Sequence, residues 1–371
     1  MAKKAKDTIN LGIIGCGNIS QAYFNAAKKF KIINVVACAD INMATARAKA
    51  KENNVKALTV KNLLADKSID IVINLTIPAV HAEVSLAALK AGKHVHCEKP
   101  LATTLEDGQA VIDLAAKKGL RVGCAPDTFL GAGLQTCRKI IDDNWIGRPV
   151  SGAVNFMARG PESWHPNPSF FYEFGAGPMF DMGPYYLTAL VHLLGPVARV
   201  AAITTKAFDE RMATCEAQFG KMLKVDVPTH YSASLEFVSG PVITLTVSFD
   251  VHRHGHSPIE IYGTEGSLFA PDPNTFGGPV KVYTASTGEV KEVPFSHNYA
   301  ENMRSIGVAD MAYGILYDRE HRSNGDLAFH VLELMHSFEK SSTSGKHVKI
   351  KSRPTQPKAL PLGLIEGLLD G

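Results

Sequence analysis

The run Ala91-Gly-Lys-His-Val-His-Cys-Glu-Lys-Pro-Leu101 reads as a short buried strand, His94 to Cys97, that ends abruptly in Glu98, Lys99 and Pro100. A strand broken by a charged pair and a proline can aim one lysine, Lys99, into a cleft, where an ammonium polarises a substrate oxygen. The plain alternative is a surface ion pair between Lys99 and Glu98. A second chemical feature is Gly15-Cys-Gly-Asn-Ile-Ser20, set between an apolar run at 9–15 and an amphipathic stretch at 19–29. Gly15 permits a sharp strand-to-helix turn, and Gly17 lets backbone amides approach a pyrophosphate at the helix N-terminus. Ser20 occupies the third position of that pattern, where a small residue still lets helix and strand pack.

A second buried run, Asn34–Ala39, ends in Asp40, about 20 residues past the turn, where a carboxylate accepts hydrogen bonds from an adenosine ribose. Asp40 also repels a 2′-phosphate, and neither Ile41 nor Asn42 offers that phosphate a cation. NAD is therefore favoured over NADP, unless Arg47 on the next helix turns inward; a helix N-cap is the structural alternative for Asp40. Two later segments also carry candidate groups. In Glu162-Ser-Trp-His-Pro-Asn-Pro168, Trp164 suits stacking on the apolar face of a ring and His165 suits hydrogen bonds to a ligand's hydroxyls, although a proline-fixed loop fits the composition equally well. In Asp250-Val-His-Arg-His-Gly-His256, an extended chain would put His252, His254 and His256 on one face, as a zinc site would need. Gly255 breaks such a strand, and no metal is expected; recognition of ligand hydroxyls or a subunit contact is the alternative.

These groups need a scaffold, and the first part of the chain alternates strands with helices. After the turn come strands at 34–39, 69–75, 94–97 and 121–124, and helices at 79–90 and 105–118. Such alternation gives a doubly wound parallel sheet, whose ligands bind beyond the carboxyl ends of the strands. That edge gathers the cofactor candidates Gly15, Gly17, Asn18, Ile19, Asp40, Thr76, His81, Glu98 and Lys99, and Phe129 as a substrate contact. From about residue 150 the pattern changes to long polar–apolar alternations at 150–158, 197–205, 230–238, 242–251, 259–262 and 280–283, which read as a mostly antiparallel sheet with one covered face. Helices are expected at 133–144, 182–194 and 326–340, with an extended proline-rich arm from Arg353; the segment Asn298–Arg304 is expected to be a helix at a cleft edge or interface. The division is a dinucleotide-binding domain at 1–128 and a substrate-binding, oligomerising α/β domain at 129–371.

The totals agree with this division. A chain of 371 residues suits two domains of ordinary size. A net charge of +3 with scattered lysines gives no nucleic-acid or membrane surface. The basic start leads into a strand without an apolar signal core, no apolar run approaches the ~20 residues of a membrane span, and the six cysteines have no C-x-x-C spacing. A cytoplasmic protein with reduced thiols is expected.

Four segments together, Ala91–Ala102, the glycine turn with Asp40, Gly175-Ala-Gly-Pro-Met-Phe-Asp-Met-Gly183 and Ile261-Tyr-Gly-Thr-Glu-Gly-Ser-Leu268, resemble the glucose–fructose oxidoreductase, inositol dehydrogenase and rhizopine-catabolism family of nicotinamide-dependent sugar and polyol oxidoreductases. The resemblance implies a Rossmann domain followed by an α/β domain whose large open sheet builds a homodimer or homotetramer. It also implies a nicotinamide near Lys99 and a cis peptide before Pro100. In the family, the lysine acts with an aspartate and a histidine of a D-x-G-x-H segment; here that segment is Asp181-Met-Gly-Pro-Tyr185, so Tyr185 stands where histidine is usual. Hydride transfer at a carbinol needs a proton to leave or join the oxygen, so a group of usable pKa must touch it. Lowering a tyrosine from ~10 by two to three units takes about 3–4 kcal/mol. A lysine about 4 Å away supplies roughly that at an effective dielectric near 20. The catalytic set implied is Lys99, Tyr185 and Asp181, with Phe129, Trp164, His165, Asp181 and Tyr185 on the substrate. The rival readings are a redox-neutral NAD-dependent glycosidase and a sugar-sensing regulator without catalysis.

Overall fold

The computed structural model describes residues 7–371. Its first sheet has six parallel strands, β1 (Ile9–Ile14), β2 (Ile33–Ala39), β3 (Lys56–Leu58), β4 (Ile71–Asn74), β5 (His94–Cys97) and β6 (Val122–Cys124), in the order β3-β2-β1-β4-β5-β6. Helices α1 (Ser20–Ala27), α2 (Met43–Asn53), α3 (Val60–Ala65), α4 (His81–Lys90) and α5 (Leu105–Lys118) connect them. The strands are apolar on both faces, as a sheet covered by helices on both sides requires: Leu11, Ile13, Ile71, Ile73 and Val95 are all buried. β3 and α3 escape a reading by periodicity because each is too short to show one. Asp40 does not cap α2; Asn42 does, accepting a hydrogen bond from the Ala44 amide at 2.9 Å.

Helix α6 (Ala132–Asp142) leads into the second sheet. Here β7 (Pro149–Met157), β8 (Val197–Thr205), β11 (His230–Phe237), β12 (Val242–Ser248), β13 (Ile259–Gly263), β14 (Gly266–Ala270), β15 (Val280–Thr284), β16 (Val290–Val293) and β17 (Val348–Lys349) lie in the order β16-β15-β14-β13-β7-β12-β11-β8-β17. The sheet is antiparallel except where β12 runs parallel to β7. A hairpin of β9 (Glu210–Met212) and β10 (Met222–Lys224) forms a separate two-stranded ribbon. Alternation along the strands buries Tyr231, Leu235, Ile243, Leu245 and Val247 on one face. Helices α7 (Gly177–Asp181), α8 (Gly183–Leu194) and α10 (Gly325–Ser344) occupy that side, while Ser232, Ser234, Val242 and Ile203 remain exposed. All of α8 is buried, as its apolar sequence on every side demands.

Two expectations are corrected. Asn298–Arg304 is irregular rather than helical; Tyr299 and then Ser305 take positive φ of 73° and 138°, and helix α9 (Ile306–Leu316) starts only after them. The start is fixed by Asp127, whose Oδ2 accepts from the Ser305 and Gly307 amides at 3.1 and 3.0 Å. A cap supplied from so far along the chain leaves no local signal. Likewise β12 stops at Ser248, short of the expected end at 251, and the His256 amide donates to His254 Nδ1 at 3.2 Å in the irregular segment that follows. Among the described residues no group of three or more His, Cys, Asp or Glu side chains is placed to hold a metal.

The six cysteines are free and buried. Among the described residues no helix is long and apolar enough to cross a membrane. After the second sheet the chain returns to the first: α9 packs on β6 and α1, α10 packs on α5, and the Cys124 amide donates to the Ser323 carbonyl. The final arm continues this bridging, with Tyr299 Oη donating to the Leu368 carbonyl at 2.5 Å and Arg322 Nη2 to Asp370 at 2.7 Å.

Candidate active site

Lys99 stands at the end of β5, and its peptide to Pro100 is cis. Its Nζ donates to the Asp181 carbonyl at 2.5 Å and to Asp181 Oδ1 at 2.8 Å. An ammonium has three N–H donors, so one is left for another acceptor. The alternative ion pair with Glu98 does not form. Instead Glu98 Oε1 accepts from Tyr23 Oη at 2.9 Å and Oε2 from the Lys99 amide at 2.9 Å, which fixes the backbone that carries the lysine. Burial works against the charge on Lys99, but the nearby Asp181 and Tyr185 outweigh it and hold the pKa above the usual lysine value.

Asp181 reaches Lys99 because the chain before α7 comes very close to the loop after β5. Gly175 has φ +79°, and a Cβ there would meet Thr103 Cγ2 at 2.8 Å. Glycine is therefore required on both conformational and steric grounds. Tyr185 lies in the first turn of α8, with Lys99 Nζ 5.3 Å from its ring centre. Burial outweighs the opposing cations of Lys99 and Arg304 and holds its pKa above the ordinary tyrosine value, a correction to the lowering expected from the lysine alone. Arg304 is a candidate residue that the sequence did not reveal. It ends the irregular segment before α9, lies over Phe276, donates from Nη2 to Asn274 Oδ1 at 3.0 Å and from Nη1 to Asn302 Oδ1 at 3.2 Å, and its charge bears on Tyr185. The only local hint was an arginine in a segment without assigned chemistry.

The nucleotide edge has the expected layout. Gly15 has φ +100°, and a Cβ there would lie 2.4 Å from the Leu75 carbonyl oxygen; at Gly17 an added Cβ meets nothing within 4 Å, leaving room above the helix start. Asp40 Oδ2 accepts from the Cys16 amide at 2.8 Å, tying the carboxylate to the glycine turn. Ile41 is fully exposed beside it, and Arg47 stays exposed on α2. Gly17, with Asn18 and Ile19, thus forms an open cradle suited to a dinucleotide. We expect Gly15→Ala to cost about 1–3 kcal/mol of folding stability, from a strained backbone alone, and to weaken NADH binding. Urea unfolding and a fluorescence titration read these separately; an unchanged midpoint together with unchanged binding would refute the tight-turn account.

Two candidates lie elsewhere than expected. His81 is buried, with Nδ1 2.7 Å from the Pro100 carbonyl and Nε2 2.9 Å from the Thr76 carbonyl. Burial lowers its pKa while these two carbonyls pull it upward. It ties the β4 and β5 strand ends together instead of facing a cofactor. Phe129 is in the core, 5.1 Å from the His192 ring, and makes no cleft wall.

A cavity of about 350 Å³ opens onto Lys99 and Asp181, between the Thr76–Ala79 turn and the segment Asn167–Ala176. Phe170 and Phe174 provide the wall on that second side, whereas Trp164 and His165 do not line it. Trp164 packs edge-on against Phe171 and His165, and His165 Nδ1 accepts from the Asn167 amide at 3.0 Å. The segment is anchored by buried Arg211 of β9, whose Nη1 donates to Glu162 Oε1 at 2.7 Å and whose Nη2 binds Asp250. A larger groove of about 910 Å³ lies between α5 and α10 and includes none of these groups.

Residues 9–125 match an oxidoreductase family described by its NAD-binding Rossmann fold, GFO/IDH/MocA, and residues 134–269 match the GFO/IDH/MocA C-terminal domain. Levoglucosan dehydrogenase of Pseudarthrobacter phenanthrenivorans is 25% identical over 346 residues, covering 82% of this chain and 85% of that one. Inositol 2-dehydrogenase of Salmonella typhimurium is 34% identical over 148 residues, 38% of this chain and 44% of its own. A solved levoglucosan dehydrogenase in complex with NADH and L-sorbose superposes with a TM-score of 0.81 at 22% identity, covering 93% of this chain and 99% of the other, a likeness of fold.

Proposed function

The chain belongs to the GFO/IDH/MocA family of oxidoreductases with an NAD-binding Rossmann fold, and from that premise we propose that it oxidises or re-forms a secondary hydroxyl of a sugar, glycoside or cyclic polyol with NAD. The observation that carries this reading is the Lys99–Asp181 pair, which joins the two domains inside the cleft, with Lys99 beside Tyr185. When bound, NAD accepts or returns the hydride. Gly15, Gly17, Asn18 and Ile19 would hold its pyrophosphate, Asp40 its adenosine ribose, and Thr76 with Lys99 its nicotinamide end. With a carboxylate at the second strand end and Arg47 exposed, NAD is favoured over NADP.

Each residue has one task in this reading. Lys99, held charged by Asp181, is no base near neutral pH; its remaining N–H polarises the carbinol oxygen. Asp181 orients the lysine. Tyr185 takes the hydroxyl proton in oxidation and returns it in reduction, and the cations beside it favour the phenolate that this requires. Lys99 is the cation among the cavity walls, and it is already paired, so a neutral polyhydroxy substrate fits better than a carboxylate or phosphate. The exposed face of the nine-stranded sheet is the surface proposed to join subunits into a dimer or tetramer.

The test is to supply NAD and a panel of sugars, glycosides and inositols, following NADH and products together. A dehydrogenase accumulates NADH with an oxidised sugar. Release of free sugar from a glycoside without net NADH would replace this reading by the redox-neutral glycosidase, and no turnover of any member would leave the sugar-sensing regulator.

A further inference from the structure

The cavity beside Lys99 is polar at one end and apolar at the other. Lys99 and Asp181 lie inside, with side chains 16% and 27% exposed, whereas Phe174 and Ile77 at the rim are 74% and 67% exposed. Phe170, 37% exposed, stands with them, its ring 4.0 Å from that of Phe171. Large apolar side chains grouped at the mouth of a cleft mark a binding surface.

The hydrogen-bonding side chains of the wall are Thr76, Lys99, Thr103, Asn167, Glu173 and Asp181. Several are already engaged: Thr76 Oγ1 donates to Asn74 Oδ1 at 2.6 Å, Lys99 binds Asp181, and Asn167 Oδ1 accepts from Gln218 at 3.2 Å. An apolar ring laid on Ile77, Phe170 and Phe174 takes their exposed surface out of water, whereas the hydroxyls of a second sugar ring there would stay with solvent and gain little from these side chains.

We infer that the rim formed by Ile77, Phe170 and Phe174 is a subsite for an apolar, ring-shaped aglycone, so that the preferred substrate is an aryl glycoside rather than a free sugar or an oligosaccharide. This rests on the reading of Lys99 and Tyr185 as the site of hydroxyl oxidation. The sugar ring lies at Lys99 and Asp181, and the aromatic ring lies across the cleft mouth, touching one wall from each domain.

The experiment compares phenyl glycosides, methyl glycosides and disaccharides of the same sugars, in both anomers, with the wild-type chain and Phe174→Ala. The phenyl glycoside is expected to exceed the methyl glycoside in kcat/KM by about tenfold or more, the scale of one well-filled apolar contact. The disaccharide should fall below both, and Phe174→Ala should bring the phenyl-to-methyl ratio toward one. Phe174 is exposed, so its removal spares the fold. Turnover with a ratio near one in the wild type, or a ratio unchanged in Phe174→Ala, overturns the subsite and leaves the dehydrogenase reading standing. If nothing turns over, calorimetry of phenyl and methyl glycosides with the NADH-loaded chain decides: selective binding of the phenyl compound supports the subsite while the oxidation reading fails, and equal or absent binding rejects both.

Discussion

Lys99→Met is expected to lower kcat/KM for the oxidised substrate by about 10²–10³, the effect of removing a donor from a developing alkoxide. The mutation removes the cation while keeping an unbranched apolar chain against Tyr185. It also frees Asp181, but that carboxylate is 27% exposed and stays solvated, so the fold should survive. Lys99→Arg separates charge from geometry. A planar guanidinium cannot give the same two bonds to the Asp181 carbonyl and Oδ1 while still aiming a donor at the cleft. If Lys99→Met keeps more than a tenth of wild-type kcat with unchanged NADH affinity, the lysine is structural and the proposed chemistry fails.

Tyr185→Phe is expected to lower kcat by about 10²–10⁴, the range for loss of a general acid–base group. The pH dependence gives a sharper test. Burial raises the Tyr185 pKa, and the Lys99 and Arg304 cations oppose it. Oxidation requires the phenolate, so activity should rise as pH passes through the Tyr185 pKa. Removing a cation raises that pKa. Arg304→Gln should therefore move the rising limb to higher pH, by about one unit for each ~1.4 kcal/mol of lost stabilisation. Tyr185→Phe should abolish the limb, while Arg304→Lys, which keeps the charge, should move it less than Arg304→Gln does. A limb that stays in place in Arg304→Gln assigns the ionisation to another group, and His165 is then the next to mutate.

The scale of these effects follows from the arrangement of charges. Lys99 and Arg304 both bear on one phenol, which eases the demand on the lysine alone. The same arrangement gives Glu98 an opposing role, since its negative charge raises the Tyr185 pKa, and Tyr23 holds it in place. Replacing either neighbour changes the balance without touching the substrate.

Much of the framework was legible because its signals are local. The His94–Cys97 strand and the Leu105–Lys118 helix lie where period and turn residues put them. The glycine turn is equally local, since a positive φ at Gly15 and open space at Gly17 are properties of a few adjacent residues. Family likeness added the cis peptide before Pro100 and the candidate set of Lys99, Asp181 and Tyr185.

Where a side chain points after the domains have packed is a different kind of fact. His81 and Phe129 lie at the correct sheet edge, yet one binds two backbone carbonyls and the other fills the core, because the sheet edge is shared by cleft and interior alike. Arg304 lies just before α9, which Asp127 caps from far along the chain, and Phe170 and Phe174 follow Glu162, which Arg211 holds together with Asp250. By itself, the sequence determined the sheet, the turn and the lysine at the strand end, through periodicity and backbone conformation within a few residues. The tertiary structure decided the partners of that lysine, since the Lys99–Asp181 bond spans 82 residues and two domains, a contact set by long-range packing.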